Sequence, residues 1–135
     1  MAMVGLLIIS HCDLGRELLN AAQLILGKLD NVDTVCISST TKSEELLSSI
    51  SSKIKTLDKG KGVLILTDMF GGTPSNLSLS FLQDGKVEVL TGVNLPMIIA
   101  VAQDREELNL EELGKKAQEA GRRSIALASK LLKQE

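Results

Sequence analysis

Two short runs of unbroken apolar character, Met3–Ile9 and Val63–Leu66, constrain the fold of this chain more than any other feature. A strand with one wet face alternates apolar and polar residues, whereas a strand covered on both faces need not. Both runs have strand length, so each is expected inside a sheet with helices above and below. Amphipathic stretches separate them. Leu14, Leu18, Leu19, Ala22, Ile25 and Leu26 recur at helical spacing, and Gly27 supplies a stop. Val32–Ser38 is a second β-branched run. Thr41 and Glu44 have capping-box spacing ahead of a helix carrying Leu46, Leu47, Ile50, Ile54 and Leu57. Thr73-Pro74 reads as an N-cap followed by proline at the first helical position, with the helix running through Leu77–Leu82 to a turn at Asp84-Gly85. Val87–Leu90 is the fourth strand. Pro96 opens a short helix through Ala102, and Asn109 with Glu112 caps another that reaches at least Ala120. The periodicity of Ser124–Leu132 suits either more helix or an extra strand. Strand and helix in alternation define an α/β fold, a doubly wound and mostly parallel sheet with helices on both faces. The length fits a single domain over residues 1–135.

Composition narrows the function. With 15 basic and 17 acidic residues the net charge is -2, and no basic stripe suits nucleic acid or an anionic membrane. Two phenylalanines are the only aromatics, which argues against base-stacking platforms and aromatic sugar shelves. The first ten residues are too short for a membrane span and lack a basic flank. Cys12 and Cys36 lack CxxC spacing and suit free thiols, so a cytoplasmic protein without direct membrane insertion is expected.

In open α/β sheets ligands bind beyond the carboxyl ends of the strands. The residues there are Ser10-His11-Cys12-Asp13 after the first strand, Thr67 to Pro74 after the third, and Thr91-Gly92-Val93-Asn94 after the fourth. If the first and third strands are neighbours, His11 and Asp68 face each other. The carboxylate would hold the Nδ1 proton and leave the Nε2 lone pair free to attack a phosphoryl group. Gly71, Gly72 and Thr73 would bind the phosphate, because glycines admit close backbone approach and amides at a helix start favour an anion.

Taken singly, each residue has an ordinary structural explanation: a histidine or aspartate in a turn, a threonine starting a helix, Asp13 capping one, Met69-Phe70 in the core or on a docking rim. Their joint placement is the specific signal. A receiver-like domain phosphorylated on Asp68 would want an acidic pair after the first strand, and one of those positions is His11. No G-x-G-x-x-G follows that strand, and a single histidine supports metal hydrolysis poorly. Neither a metal nor a cofactor is expected.

Val4–His11 (VGLLIISH), Gly62–Asn76 (GVLILTDMFGGTPSN) and Thr91–Met97 (TGVNLPM) resemble the IIA component of the mannose family (mannose, fructose and sorbose) of the bacterial sugar phosphotransferase system. The resemblance extends from Met3 to about Leu131. It implies strand order 2-1-3-4, phosphorylation of His11 on Nε2, an Asp68 carboxylate on Nδ1 and a loop hydroxyl from Thr73. It also implies phosphate supply by the histidine-containing phosphocarrier protein HPr, transfer to a IIB domain, and a homodimer in which a C-terminal antiparallel strand lies against the partner subunit. No IIB domain follows here, so a separate chain is expected to provide it. The alternative is a standalone regulatory domain that signals through phosphorylation of His11 without serving transport. This chain departs from many relatives in having Cys12 in place of glycine, Asp13 near the phosphate position, and Phe70 where some have tryptophan.

Overall fold

The run beginning at Val4 folds into β1 (Gly5–His11), whose residues are buried up to Ser10, with only the final His11 exposed. The computed structural model describes residues 2–69 and 73–133, with the backbone alone for residues 73–75. β1 is followed by α1 (Leu14–Leu26), β2 (Val32–Ile37), α2 (Ser43–Leu57), β3 (Val63–Thr67), α3 (Thr73–Leu79), β4 (Val87–Thr91), α4 (Leu95–Asp104), α5 (Leu110–Arg123) and α6 (Ala128–Leu132). The strands form one sheet in the order β2-β1-β3-β4. All three pairings are parallel, with Ile9 opposite Thr67 and His11 opposite Ile37.

Strand alternation divides the core in two. Leu6, Ile8, Leu64 and Leu66 face α1, α4 and α5, where they meet Ala22, Ile98, Val101, Leu113 and Ala117. Leu7, Ile9, Val63 and Ile65 face α2 and pack on Leu46, Ile50 and Leu57. This two-sided burial is why β1 and β3 read as continuous apolar runs. Gly27 stops α1 with φ +87, a region that side chains rarely adopt.

Capping chemistry explains where the observed boundaries agree with the sequence pattern and where they do not. At α5 both halves of the capping box form, Asn109 to the Glu112 N–H and Glu112 to the Asn109 N–H. At α2 the same spacing makes no box. Lys42 occupies the N-cap without a side-chain bond, and Thr41 instead accepts the Ser38 N–H at 3.0 Å. α3 ends at Leu79, three residues before the expected Leu82. Ser80 Oγ donates to the Leu77 carbonyl at 2.7 Å, and the chain tightens into successive i→i+3 bonds through Leu82. α4 is longer than its Pro96 signal suggests, because Asn94 caps it one residue earlier. The tail takes the helical alternative only in part. α5 ends at Arg123, and the five-residue α6 follows without a buried residue.

The two sheet edges differ. On β2, Lys53 Nζ donates to the Thr34 carbonyl at 2.8 Å and pairs with Asp33 at 3.2 Å, which covers the edge. On β4, Val87 and Val89 instead border an open groove of about 1200 Å³, closed on the far side by Leu110, Gly114 and Lys115 of α5.

Candidate functional site

The parallel register delivers His11 and Asp68 to the same end of the sheet, one at the close of β1 and the other just past β3. One carboxylate oxygen, Asp68 Oδ2, accepts two hydrogen bonds from His11: the backbone N–H at 2.8 Å and ring Nδ1 at 2.9 Å. The imidazole is therefore fixed at its root and at its ring. Its side chain is 48% exposed, against 9% for Asp68. Burial alone would raise the Asp68 pKa. The His11 backbone N–H, the ring N–H and the ring's charge when protonated outweigh it and hold the carboxyl below its ordinary value. An ionised carboxylate only accepts, so Nδ1 carries the proton and the Nε2 lone pair faces outward. Asp68 Oδ1 is buried with no partner among the described residues.

Asp68 follows β3 at the end of the sheet, yet its side chain is largely withdrawn from solvent. The side chain is tucked beneath the histidine because Oδ2 must reach both the backbone and the ring of His11. Gly71 and Gly72 lie outside the described residues, as does the Thr73 side chain. The Thr73 backbone begins α3.

The Cys12 position has φ +52, in the left-handed region, where a side chain costs on the order of 1 kcal/mol and glycine almost nothing. The conformation favours glycine over any residue with a side chain. Asp13 turns toward the β2 side of the sheet. It lies 3.8 Å from Arg16, and the Cys36 thiol is pushed up by burial and then by the Asp13 carboxylate.

Two residues had no role in the sequence reading. Ser10, the last buried position of β1, accepts the Gly15 N–H at 2.7 Å and donates to the Cys12 carbonyl at 3.3 Å. Its only sequence signal is a hydroxyl ending an apolar run. Asn94 caps α4 through the Met97 N–H and donates to the Gly121 carbonyl and Ser124 Oγ. With the Val93 N–H on the Thr67 carbonyl, the TGVNLPM segment thus joins the ends of β3, α4 and α5. Among the described residues no cluster of three or more His, Cys, Asp or Glu is placed to hold a metal, and no helix is long and apolar enough to cross a membrane.

Fold and site together define a doubly wound α/β protein with a carboxylate-oriented histidine at the carboxyl edge of its sheet. The family model described as the PTS system fructose IIA component (EIIA-man) matches residues 5–118, and the chain belongs to that family. It is 32% identical over 124 residues to the mannose-specific EIIAB component of Escherichia coli strain K12, covering 90% of this chain and 38% of that protein. It is 31% identical over 112 residues to the fructose-specific EIIA component of Bacillus subtilis strain 168, covering 82% and 77%. The crystal structure of the phosphotransferase system component EIIA from Streptococcus agalactiae superposes with a TM-score of 0.86 at 25% identity, over 95% of this chain and 99% of that one. The strand order expected from the resemblance is the one observed.

Proposed function

We propose that this chain is a cytoplasmic phosphoryl carrier that accepts phosphate from phospho-HPr on His11 Nε2 and passes it to a IIB domain for sugar uptake. The observation that carries the reading is the pair of bonds from His11 to one oxygen of the ionised Asp68 carboxylate. The Nε2 lone pair attacks phosphorus. A P–N bond forms at His11 as the P–N bond of the donor histidine breaks, and the donor ring keeps the electron pair. The Nδ1 proton stays on the ring, where Asp68 steadies the positive charge. Phosphoryl transfer depends on positioning and charge stabilisation, for which amides at Gly71 and Gly72 and the Thr73 hydroxyl are suited. The same steps in reverse, with the IIB residue as nucleophile, discharge the carrier. Incubation with phosphoenolpyruvate, enzyme I and HPr should add one phosphoryl group to the intact mass, labile to acid and stable to alkali, and adding a IIB domain should remove it. A wild-type chain that gains no mass would refute the reading.

The same reading includes a homodimer. Supporting it are the open groove along the β4 edge and the exposed Ile125, Leu127, Leu131 and Leu132 in the tail. The described tail forms α6 and adds no strand to the sheet, but the tail of a second copy laid along the groove would bury both. Light scattering at micromolar concentration should give the dimer mass, and a monomer there would contradict the pairing.

A further inference from the structure

We propose that Ser10 is a positioning residue for phosphoryl transfer, fixing from within β1 both the turn that carries His11 and the first turn of α1. The inference rests on the carrier reading.

Ser10 is fully buried on the α1 side of the sheet, and its hydroxyl is used in both directions. As acceptor it takes the N–H of Gly15, in the first turn of α1. Asp13, at the N-cap of that helix, makes no side-chain cap bond, so the cap is supplied by the strand. As donor it holds the Cys12 carbonyl and with it the left-handed backbone at Cys12. The Cys12 N–H is bound to the Ile37 carbonyl at 2.7 Å and the His11 N–H to Asp68. The histidine thus stands between pinned peptides, and Ser10 is what joins this turn to α1. The first turn of α1 lies close against the strand at Gly15. A Cβ on Gly15 would lie 2.8 Å from Ile8 Cγ2 and 3.0 Å from Ser10 Oγ. Without the hydroxyl, a buried N–H loses its acceptor, and the left-handed turn loses the bond that holds its carbonyl. The ring then samples orientations in which Nδ1 and Oδ2 no longer align, and the misplacement falls on the step where geometry matters most.

The test compares wild type, Ser10→Ala and Ser10→Thr in the full chain. Rapid-quench transfer from phospho-HPr over a range of donor concentrations is paired with 15N shifts of the unphosphorylated His11 ring. Ser10→Ala should lower the maximal transfer rate about ten- to a hundredfold without raising KM for phospho-HPr. Its ring shifts should move toward a mixture of tautomers, and Ser10→Thr should restore rate and shifts together. A simple helix cap would lower the urea midpoint alone. Wild-type rate and wild-type ring shifts in folded Ser10→Ala therefore overturn the proposal. Should Ser10→Ala not fold, Ser10→Cys takes its place with the same expectations, since a thiol fills the space but bonds weakly. If the wild-type chain accepts no phosphate, the carrier reading fails separately. The ring shifts then decide Ser10's role in orienting the imidazole, and unchanged shifts overturn it.

Discussion

The His11→Ala protein is expected to take no phosphate from phospho-HPr while remaining folded. His11 is the only histidine in the chain, and its ring contributes to neither half of the core. Removing it deletes the nucleophile outright, a larger effect than any change in its surroundings. The structural consequence is smaller. Asp68 Oδ2 keeps the backbone N–H of residue 11 and loses the ring N–H, a charge-assisted bond of about 1–2 kcal/mol. The urea midpoint should fall modestly and the transition stay cooperative. Label on His11→Ala at the wild-type level would place the phosphate elsewhere and remove the histidine from the chemistry.

Asp68→Asn is expected to slow phosphorylation by roughly two to four orders of magnitude, by analogy with triad carboxylates that hold a histidine tautomer. Asparagine keeps the size and one acceptor oxygen but brings an NH₂ donor in place of the other oxygen. If the oxygen serves the backbone N–H, the ring loses a charged acceptor. If the NH₂ faces the ring, it favours the tautomer with the lone pair on Nδ1 and the proton on Nε2. Either way Nε2 becomes a poorer nucleophile. The loss should appear in the maximal rate, because the 9% exposed side chain presents little surface to a docking partner. Stability carries a second signature. The folded pKa of Asp68 lies below its unfolded value, so the carboxylate stabilises the fold above about pH 4, and that contribution disappears as pH falls through the folded pKa. Wild type should exceed Asp68→Asn in urea midpoint at pH 7, and the gap should close in acid. If Asp68 only shaped a turn, asparagine would serve equally well and neither change would appear.

Burial on both faces made β1 and β3 legible in the sequence, because it removes the need for alternation. The His11–Asp68 pair was legible for a related reason. Both residues follow such runs, and parallel neighbours bring their carboxyl ends together. What the sequence hid was competition for hydrogen-bonding groups. Thr41–Glu44 and Asn109–Glu112 have the same spacing, yet only the second forms a box, since the Thr41 hydroxyl is taken by the Ser38 turn. Ser80 likewise diverts a carbonyl that α3 needs to continue. Ser10 looks like the polar end of an apolar run, and its role emerges only once α1 folds back over the strand. The burial of Asp68 depends on reach across two strands, which no local pattern encodes.

The central claim is that His11 carries the phosphate on Nε2 while Asp68 keeps the Nδ1 proton in place. Long-range 1H–15N correlation spectra of the phosphorylated, 15N-labelled wild-type chain test it directly. Phosphorus coupling to Nε2 of His11, with Nδ1 protonated, is the predicted result. Coupling to Nδ1, or an acyl phosphate mapped to Asp68, would contradict it.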